Sequence, residues 1–441
     1  MNNYILLGLG TTGKATASWC HRKGFSAYIV DDAKEAAVAF VEKEKLFLPV
    51  MTSVEFCSCI DKLPLKNSIA VTSPGFPYQN SAFKKVEELK IPIVSEVELA
   101  LRLVKNIPPL IAVTGTNGKT TVVELITHII NASGKKAKAI GNIGTPLIEA
   151  FTEESFPDWF VVELSSFQLA LTFSRRFSIG CWLNISPNHL DWHSSMEEYV
   201  DAKVKLYSLT LQDGFFFMHD TIQYALPGVG ARVIRYGEQE KSSLHIVQGK
   251  IAFDKEEGIL PKELLCAPEH DRDNFLAAYG VARTLGIASK TIHDAYASFK
   301  KPSHRIEFVQ KIRNITYIDD SKSSNVASTE AAISSCDAPI VLIAGGVHKG
   351  SPYSSWGSFS DKVKAIVAIG QAKEKIAHDV GDKIPVTFAP SLEEAVKIAS
   401  KLNPSGTVLL SPGCSSFDMF HDYKDRGRQF KEIVRSLNSS V

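Results

Sequence analysis

No apolar run in the 441 residues approaches the roughly 18 that a membrane-crossing helix needs, so a spanning segment is not expected. Charge of one sign is also missing. Lys and Arg number 49 against 48 Asp and Glu, a formal net charge of +1. No global field therefore favours nucleic acid or an anionic bilayer, although a local basic pocket can still hold phosphates. Cysteine is sparse, with 7 residues scattered along the chain and no Cys-x-x-Cys pair. That spacing argues against a disulfide framework or a cysteine zinc site and for reduced thiols in the cytoplasm. The segment Met1-Asn2-Asn3-Tyr4 lacks a basic region, and the short apolar stretch after it runs into glycines, so no secretory leader is expected. Repeats and low-complexity tracts are absent as well. What remains is a chain 44% hydrophobic and 22% charged, ordinary for globular proteins and long enough for two or three domains.

β-branched apolar runs alternate with helical patterns throughout. Strands are expected at Tyr4–Leu9, Ala27–Val30, Ser68–Thr72, Leu110–Thr114, Trp159–Leu164, Ile179–Ile185, Pro339–Ala344, Ala365–Ile369 and Thr407–Leu410. Helices are expected at Glu96–Val104, Val122–Asn131 and Met196–Leu211. Such alternation predicts α/β layers on parallel sheets. Irregular polar stretches near Lys90–Ser95 and Phe299–Ser303 divide the chain into regions 1–93, 94–298 and 299–441.

Gly115-Thr116-Asn117-Gly118-Lys119-Thr120-Thr121 lies between an apolar strand and a helix. Glycines let backbone N–H groups turn inward, a lysine supplies a cation for β/γ-phosphates, and the following threonine hydroxyl can bind Mg²⁺. The turn is shorter than GxxxxGK[ST], because Thr114 stands where the first glycine would be. This segment predicts an ATP site. Glu163, ending the strand expected beside it, can hold Mg²⁺ opposite Thr120. Gly8-x-Gly10-x-x-Gly13 also separates a strand from a helix, and Asp31 ends the next strand. That is a dinucleotide fingerprint, but the same geometry serves any nucleotide diphosphate. His189 and His193 flank Asp191, too few ligands for a zinc site. Lys203 on its helix reads by pattern alone as a surface lysine.

In their order these motifs resemble the bacterial Mur ligases, and within them the D-glutamate-adding branch. Gly8–Gly13 and Ser73-Pro74-Gly75 resemble the uridine-nucleotide region. Gly115–Thr121, Gly141-Asn142-Ile143-Gly144, Glu163–Leu169 and the His189 segment resemble the ATPase region. Asp319–Asn325, Gly345–Gly350 and Leu410–Phe420 resemble the amino-acid region. The resemblance implies three α/β domains: Rossmann-like first and last, with a P-loop ATPase-like domain on a mostly parallel sheet between them.

The same resemblance implies ATP-dependent amide formation. The L-alanine carboxylate of UDP-N-acetylmuramoyl-L-alanine takes the γ-phosphoryl group of ATP, and D-glutamate attacks the resulting acyl phosphate. It further implies that Gly115, Thr116, Asn117, Gly118, Lys119, Thr120, Thr121, Asn274, Arg305 and Asp320 bind ATP. Two Mg²⁺ ions are implied, on Thr120, Glu163, His189 and Lys203, the last matching a lysine the family carries as a carbamate. Lys119, His189 and Lys203 would then be catalytic. Thr11, Thr12, Asp31, Ser73, Gly75 and Asn142 would hold the UDP-linked substrate, and Lys322, Ser324, Lys349, Ser416, Phe417 and Tyr423 the D-glutamate. Small-molecule partners and a monomer are expected, with closure of the domains before chemistry.

Three positions differ from the family pattern: Asn188 in place of Asp, Asp271 after His270 in place of Asn, and His348 in place of Asp. Rival readings are another Mur-type or folylpolyglutamate-type amide ligase, a nicotinamide oxidoreductase built on Gly8–Gly13, and a nucleotide-binding regulator without catalysis.

Overall fold

The computed structural model describes residues 3–65, 67–153, 155–189, 192–228, 230–238, 240–254, 256–265 and 267–437. Asp191 and Cys266 lie outside them. The chain is α/β, with three mostly parallel sheets. It forms two compact units, one of residues 1–185, 197–267 and 271–299, the other of residues 186–196, 268–270 and 300–441.

The first unit holds two sheets. One has five parallel strands in the order Val50–Met51, Ala27–Val30, Tyr4–Leu7, Ile69–Thr72, Ile93–Ser95. The other has nine: Glu256–Ile259, Lys250–Phe253, Leu244–Val247, Arg232–Gly237, Thr210–His219, Phe177–Trp182, Leu110–Thr114, Trp159–Glu163 and Ala137–Gly141, in spatial order. Leu110–Thr114 is buried at every position, so both its faces are covered and it reads as a continuous apolar run without alternation. Helix Lys119–Ala132 follows it and buries Val122, Val123, Leu125, Ile126, Ile129 and Ile130 in the same core. Truncating Ile126 to Ala would cost about 2–5 kcal/mol. The second unit carries a six-stranded sheet, ordered Glu307–Ile312, Ile315–Asp319, Gly406–Leu410, Ile340–Gly345, Val363–Ile369, Val386–Phe388. Only its first pair is antiparallel, and an apolar cluster lies on each face.

Several expected boundaries shift. The strand from Tyr4 stops at Leu7, because Gly8 turns the chain at φ +88°. The strand expected to reach Ile185 ends at Trp182, where the chain turns under Gly115. The helix from Met196 ends at Leu209, since Thr210 already pairs with Phe177. The antiparallel ribbon Leu244–Ile259 was not expected at all; its strands are four residues each, too short for a clear period. Among the described residues no helix is long and apolar enough to cross a membrane.

Candidate functional site

The turn after Leu110–Thr114 is shaped by its glycines. Gly118 sits at φ +79°, and a Cβ there would lie 2.4 Å from Asn274 Oδ1, so Asn274 is seated directly against the turn. The Asn184 side chain holds the turn from the other side. Its Oδ1 accepts from Thr116 N at 3.0 Å and Asn117 N at 2.9 Å, and its Nδ2 donates to Asn117 O at 3.1 Å. Lys119 folds back over its own turn and donates to Gly115 O and Thr116 O, both at 2.8 Å. Thr120 Oγ1 donates to Glu163 Oε2 at 2.7 Å, and Asn142 Nδ2 donates to Glu163 Oε1 at 2.8 Å. Thr121 is buried one step further along the helix.

Lys203 corrects the pattern-based expectation of a surface lysine: it is 1% exposed. Its Nζ donates to Gly115 O at 2.9 Å, the carbonyl that Lys119 also uses, and it lies 4.7 Å from the centre of the Tyr199 ring. Burial pushes its ammonium well below the usual lysine range; nearby Lys119 pushes the same way, and Glu163 opposes them. The turn is thus flanked by two lysines, one of which burial drives toward the neutral amine. Beside them stands a carboxylate whose two oxygens accept from the neutral donors Thr120 Oγ1 and Asn142 Nδ2. A threonine hydroxyl beside such a carboxylate is an oxygen pair of the kind Mg²⁺ prefers.

The first sheet carries its own glycine turn. A Cβ at Gly13 would lie 2.1 Å from Gly8 O, so only glycine lets the helix Thr11–Arg22 start this close to the strand. Asp31 braces the loop, its Oδ2 accepting from Leu9 N at 2.6 Å and its Oδ1 from Ala33 N at 2.9 Å. Ser73 Oγ donates to Gly8 O at 2.8 Å and receives a long 3.4 Å contact from Thr12 Oγ1. Thr11 is exposed at the helix start, and Gly75 lies in an open turn where a Cβ would meet nothing within 4 Å. Thr11, Thr12, Asp31 and Ser73 therefore share one loop cluster.

In the second unit, Lys349 Nζ donates to Ser324 Oγ at 3.2 Å, and Lys322 Nζ stands 3.9 Å from the centre of the Tyr423 ring. Ser416 is buried while Phe417 is 74% exposed, so Phe417 offers its ring to solvent rather than to a core. Asp320 accepts from Ser411 Oγ at 2.7 Å, and burial pushes its carboxyl up to about 7 against the pull of nearby Arg305. His189 also belongs to this unit, at φ +58°, with its N–H donating to Asn188 Oδ1 at 3.0 Å. The candidate ATP and metal residues are thus divided: Gly115–Thr121, Glu163, Lys203 and Asn274 in one unit, His189, Arg305 and Asp320 in the other.

Sequence reasoning passed over Arg426. This guanidinium is 1% exposed and donates to Ser321 Oγ, Ser321 O and Cys414 O, tying the two loops that carry Lys322 and Ser416. Burial lowers its pKa to about 10. Nothing in its helix, Tyr423–Ser436, marks it apart from exposed Arg428 beyond its position on the buried stripe with Phe430. His304, Glu307 and Asp319 also cluster, with His304 Nδ1 at 2.6 Å from Asp319 Oδ2, but Lys431 Nζ sits 3.0 Å from both Glu307 oxygens and supplies the cation there.

The Mur ligase middle domain matches residues 113–282, and the Mur ligase glutamate ligase domain matches residues 304–414. The chain is 37% identical to the UDP-N-acetylmuramoylalanine–D-glutamate ligase of Protochlamydia amoebophila, over 98% of both chains. It is 33% identical to the protein of the same name from Chlamydia pneumoniae, over 99% of this chain and 98% of that one. Among solved structures it superposes on UDP-N-acetylmuramate-alanine ligase MurC of Thermotoga maritima with TM-score 0.59 at 18% identity, covering 99% of each chain. MurF ligase of the same organism, in complex with ADP, gives TM-score 0.60 at 13% identity over 93% of this chain and 95% of that one. The two structures share the three-domain fold.

Proposed function

The chain belongs to the UDP-N-acetylmuramoylalanine–D-glutamate ligase family, and on that premise we propose that it joins D-glutamate to UDP-N-acetylmuramoyl-L-alanine at the expense of ATP, in peptidoglycan precursor synthesis. The observation that carries this reading is the pair of lysines meeting at Gly115 O beside the Thr120–Glu163–Asn142 chain of hydrogen bonds. A nicotinamide enzyme has no use for that constellation.

A carboxylate oxygen of the L-alanine attacks the γ-phosphorus of ATP; the new O–P bond forms as the bond to the β-phosphate oxygen breaks, and ADP leaves. The D-glutamate nitrogen then adds to the acyl carbon. The tetrahedral intermediate collapses with loss of phosphate, and the nitrogen gives up a proton. Negative charge moves between phosphoryl and carboxyl oxygens throughout, so prepositioned cations and N–H donors are the main catalytic resource.

In this reading Lys119 swings from its loop carbonyls to the β/γ-phosphates, and the N–H groups of Gly115–Thr121 line the phosphate path. Asn274, Arg305 and Asp320 face adenosine. Thr120 and Glu163 would hold one Mg²⁺, and His189 and Lys203 are the candidates for a second; such ions would supply positive charge to neutralise phosphoryl oxygens. Carbamate formation needs a neutral amine to attack CO₂, and the buried amine of Lys203 is driven toward that state. The resulting anion would turn a lysine into an oxygen ligand. Thr11, Thr12, Asp31, Ser73, Gly75 and Asn142 take the UDP-linked substrate. Lys322, Ser324, Lys349, Ser416, Phe417 and Tyr423 take D-glutamate, a dianion suited to Lys349. These assignments divide the chain functionally into 1–93, 94–298 and 299–441, in a cytoplasmic monomer.

The test is phosphate release from ATP in the presence of UDP-N-acetylmuramoyl-L-alanine, with D-glutamate, L-glutamate, L-alanine and a diamino acid supplied separately. D-glutamate should be strongly preferred. Preference for any other amine would sink the substrate assignment, and no release with any amine would sink the ligase reading for this chain.

A further inference from the structure

Ser95-Glu96-Val97-Glu98 ends the strand Ile93–Ser95 and opens the helix Glu96–Leu103. Acidic residues in a first helical turn ordinarily face solvent, where the helix dipole favours them. Here both glutamates are 1% exposed. Glu98 is fully used. Its Oε2 accepts from Phe173 N and Ser174 N, both at 2.8 Å, and its Oε1 accepts from Ser174 Oγ at 2.9 Å and Arg102 Nε at 2.6 Å.

Glu96 is different. Its Oε1 accepts from Ile148 N at 2.6 Å, while its Oε2 is buried with no hydrogen-bond partner among the described residues. Among the described residues no cation pairs with it, and burial, aided by Glu149, pushes its carboxyl up to about 7. A half-satisfied buried carboxyl is costly for stability alone, since an apolar residue would fill the same space without penalty.

What Glu96 does touch is the start of the helix Leu147–Ala150, whose own N-cap, Pro146, offers no side-chain acceptor. Glu96 thus caps this helix from 52 residues away. The segment just before the helix is closed by Gly141 N donating to Thr145 O at 3.0 Å. Its far end is fixed on Glu163: Asn142 N donates to Glu163 O at 2.9 Å, and Asn142 Nδ2 to Glu163 Oε1 at 2.8 Å. Gly141 permits this approach, since a Cβ there would lie 2.4 Å from Glu163 O. One end of a short loop is anchored on Glu163 and the other on Glu96.

We propose that Glu96 is a positioning residue for the ligation: by capping Leu147–Ala150 it holds the loop 141–146, and with it Asn142, in place for the UDP-linked substrate. This rests on the ligase reading above, which wild-type turnover tests separately. If the wild type releases no substrate-dependent phosphate, that reading fails, while hydrogen exchange still reports on Glu96.

The variants are Glu96→Ala, Glu96→Asp and Glu96→Gln. Losing the cap in Glu96→Ala should raise the KM for UDP-N-acetylmuramoyl-L-alanine about tenfold and speed amide exchange across residues 142–150 by a similar factor, with the KM for ATP within about twofold. Glu96→Asp is one methylene too short to reach Ile148 N and should behave like Glu96→Ala, which covers the case where the alanine variant does not fold. Glu96→Gln keeps an acceptor and should stay within about threefold of wild type. Unchanged KM and exchange in the shortened variants would overturn the proposal. So would equal defects toward ATP, or a glutamine variant as impaired as alanine. A merely structural role would lower Tm and leave both the KM and the local exchange where they were.

Discussion

Two glycine turns of one design, each joining a parallel strand to a helix, are set for opposite tasks by the side chains around them. At Gly8–Gly13 the loop is braced by a carboxylate: Asp31 takes the Leu9 and Ala33 N–H groups, and among the described residues no lysine donates to the turn in the way Lys119 does. At Gly115–Gly118 the brace is a neutral amide, Asn184, and Lys119 and Lys203 converge on Gly115 O. An anionic brace beside the first turn suits hydroxyl groups and a charge already shielded elsewhere. A neutral brace with two lysines suits a polyphosphate undergoing transfer. Glycine spacing therefore identifies a phosphate-sized turn, and the charge of its partners decides whether that turn merely binds or also takes part in chemistry.

The contrast breaks most sharply at Lys119. Lys119→Ala should lower ATP-dependent phosphate release by about 10²–10³-fold, since it removes a cation from developing phosphoryl charge. Binding of the UDP-linked substrate, measured by calorimetry, should stay close to wild type, because the Gly8–Gly13 turn is untouched. Near-normal release would remove the basis for assigning chemistry to the second turn.

Lys203 sharpens the same contrast. Lys203→Ala should cost about 10²-fold in turnover, partly restored by a small added carboxylate that can occupy the space of the carbamate. Full activity in the alanine variant would make Lys203 a packing residue. Rescue by a small alkylamine in place of a carboxylate would mean that the group works as a cation.

These residues differ in how far the sequence disclosed them. Both glycine turns and Glu163 were legible because their signals are local: a glycine needed within a few residues of a strand end, a carboxylate at the end of the neighbouring strand. The nine-stranded sheet was legible only in its buried parallel strands, where apolar runs are unbroken; the short ribbon Leu244–Ile259 has one covered face and no clear period. Lys203 was half legible. It shares a helical face with buried Tyr199, Leu206 and Tyr207, yet a lysine on such a stripe ordinarily extends its ammonium to water. Glu96 and Glu98 were not legible at all. At a helix start they read as ordinary dipole partners, and what buries them lies about 50 and 75 residues further along the chain.

A smaller effect tests the first turn. Asp31→Ala should raise the KM for UDP-N-acetylmuramoyl-L-alanine about tenfold, since two braced loop N–H groups lose their acceptor, and should leave the KM for ATP within about twofold. An equal rise in both would mean that the two turns are not separable in function, and the comparison would fail.

The last effect is on stability, not turnover; it concerns the joint between the two sheets that carry these turns, and its sign follows from Glu96. Its folded-state carboxyl is raised from 4.5 to about 7, so between those values the folded protein binds more protons than the unfolded chain. Stability contributed by this group is therefore greatest at low pH and falls as pH rises through that window, by at most about 3 kcal/mol from the shift itself. Glu98 is buried too, but the N–H groups of Phe173 and Ser174 hold its carboxyl below the usual range. Glu96→Gln removes the titrating group and keeps the acceptor for Ile148 N. Its unfolding free energy, measured by denaturant titration between pH 5 and 8, should fall less steeply with pH than that of the wild type, the two curves diverging by up to ~3 kcal/mol at the alkaline end. The difference in slope is the decisive quantity, because the absolute offset also contains the cost of burying an amide NH₂ where Oε2 now lies. Parallel curves would show that Glu96 is ionised in the folded state across this range. That would require a cation or solvent to reach it, and would leave the joint no more pH-sensitive than the turns on either side.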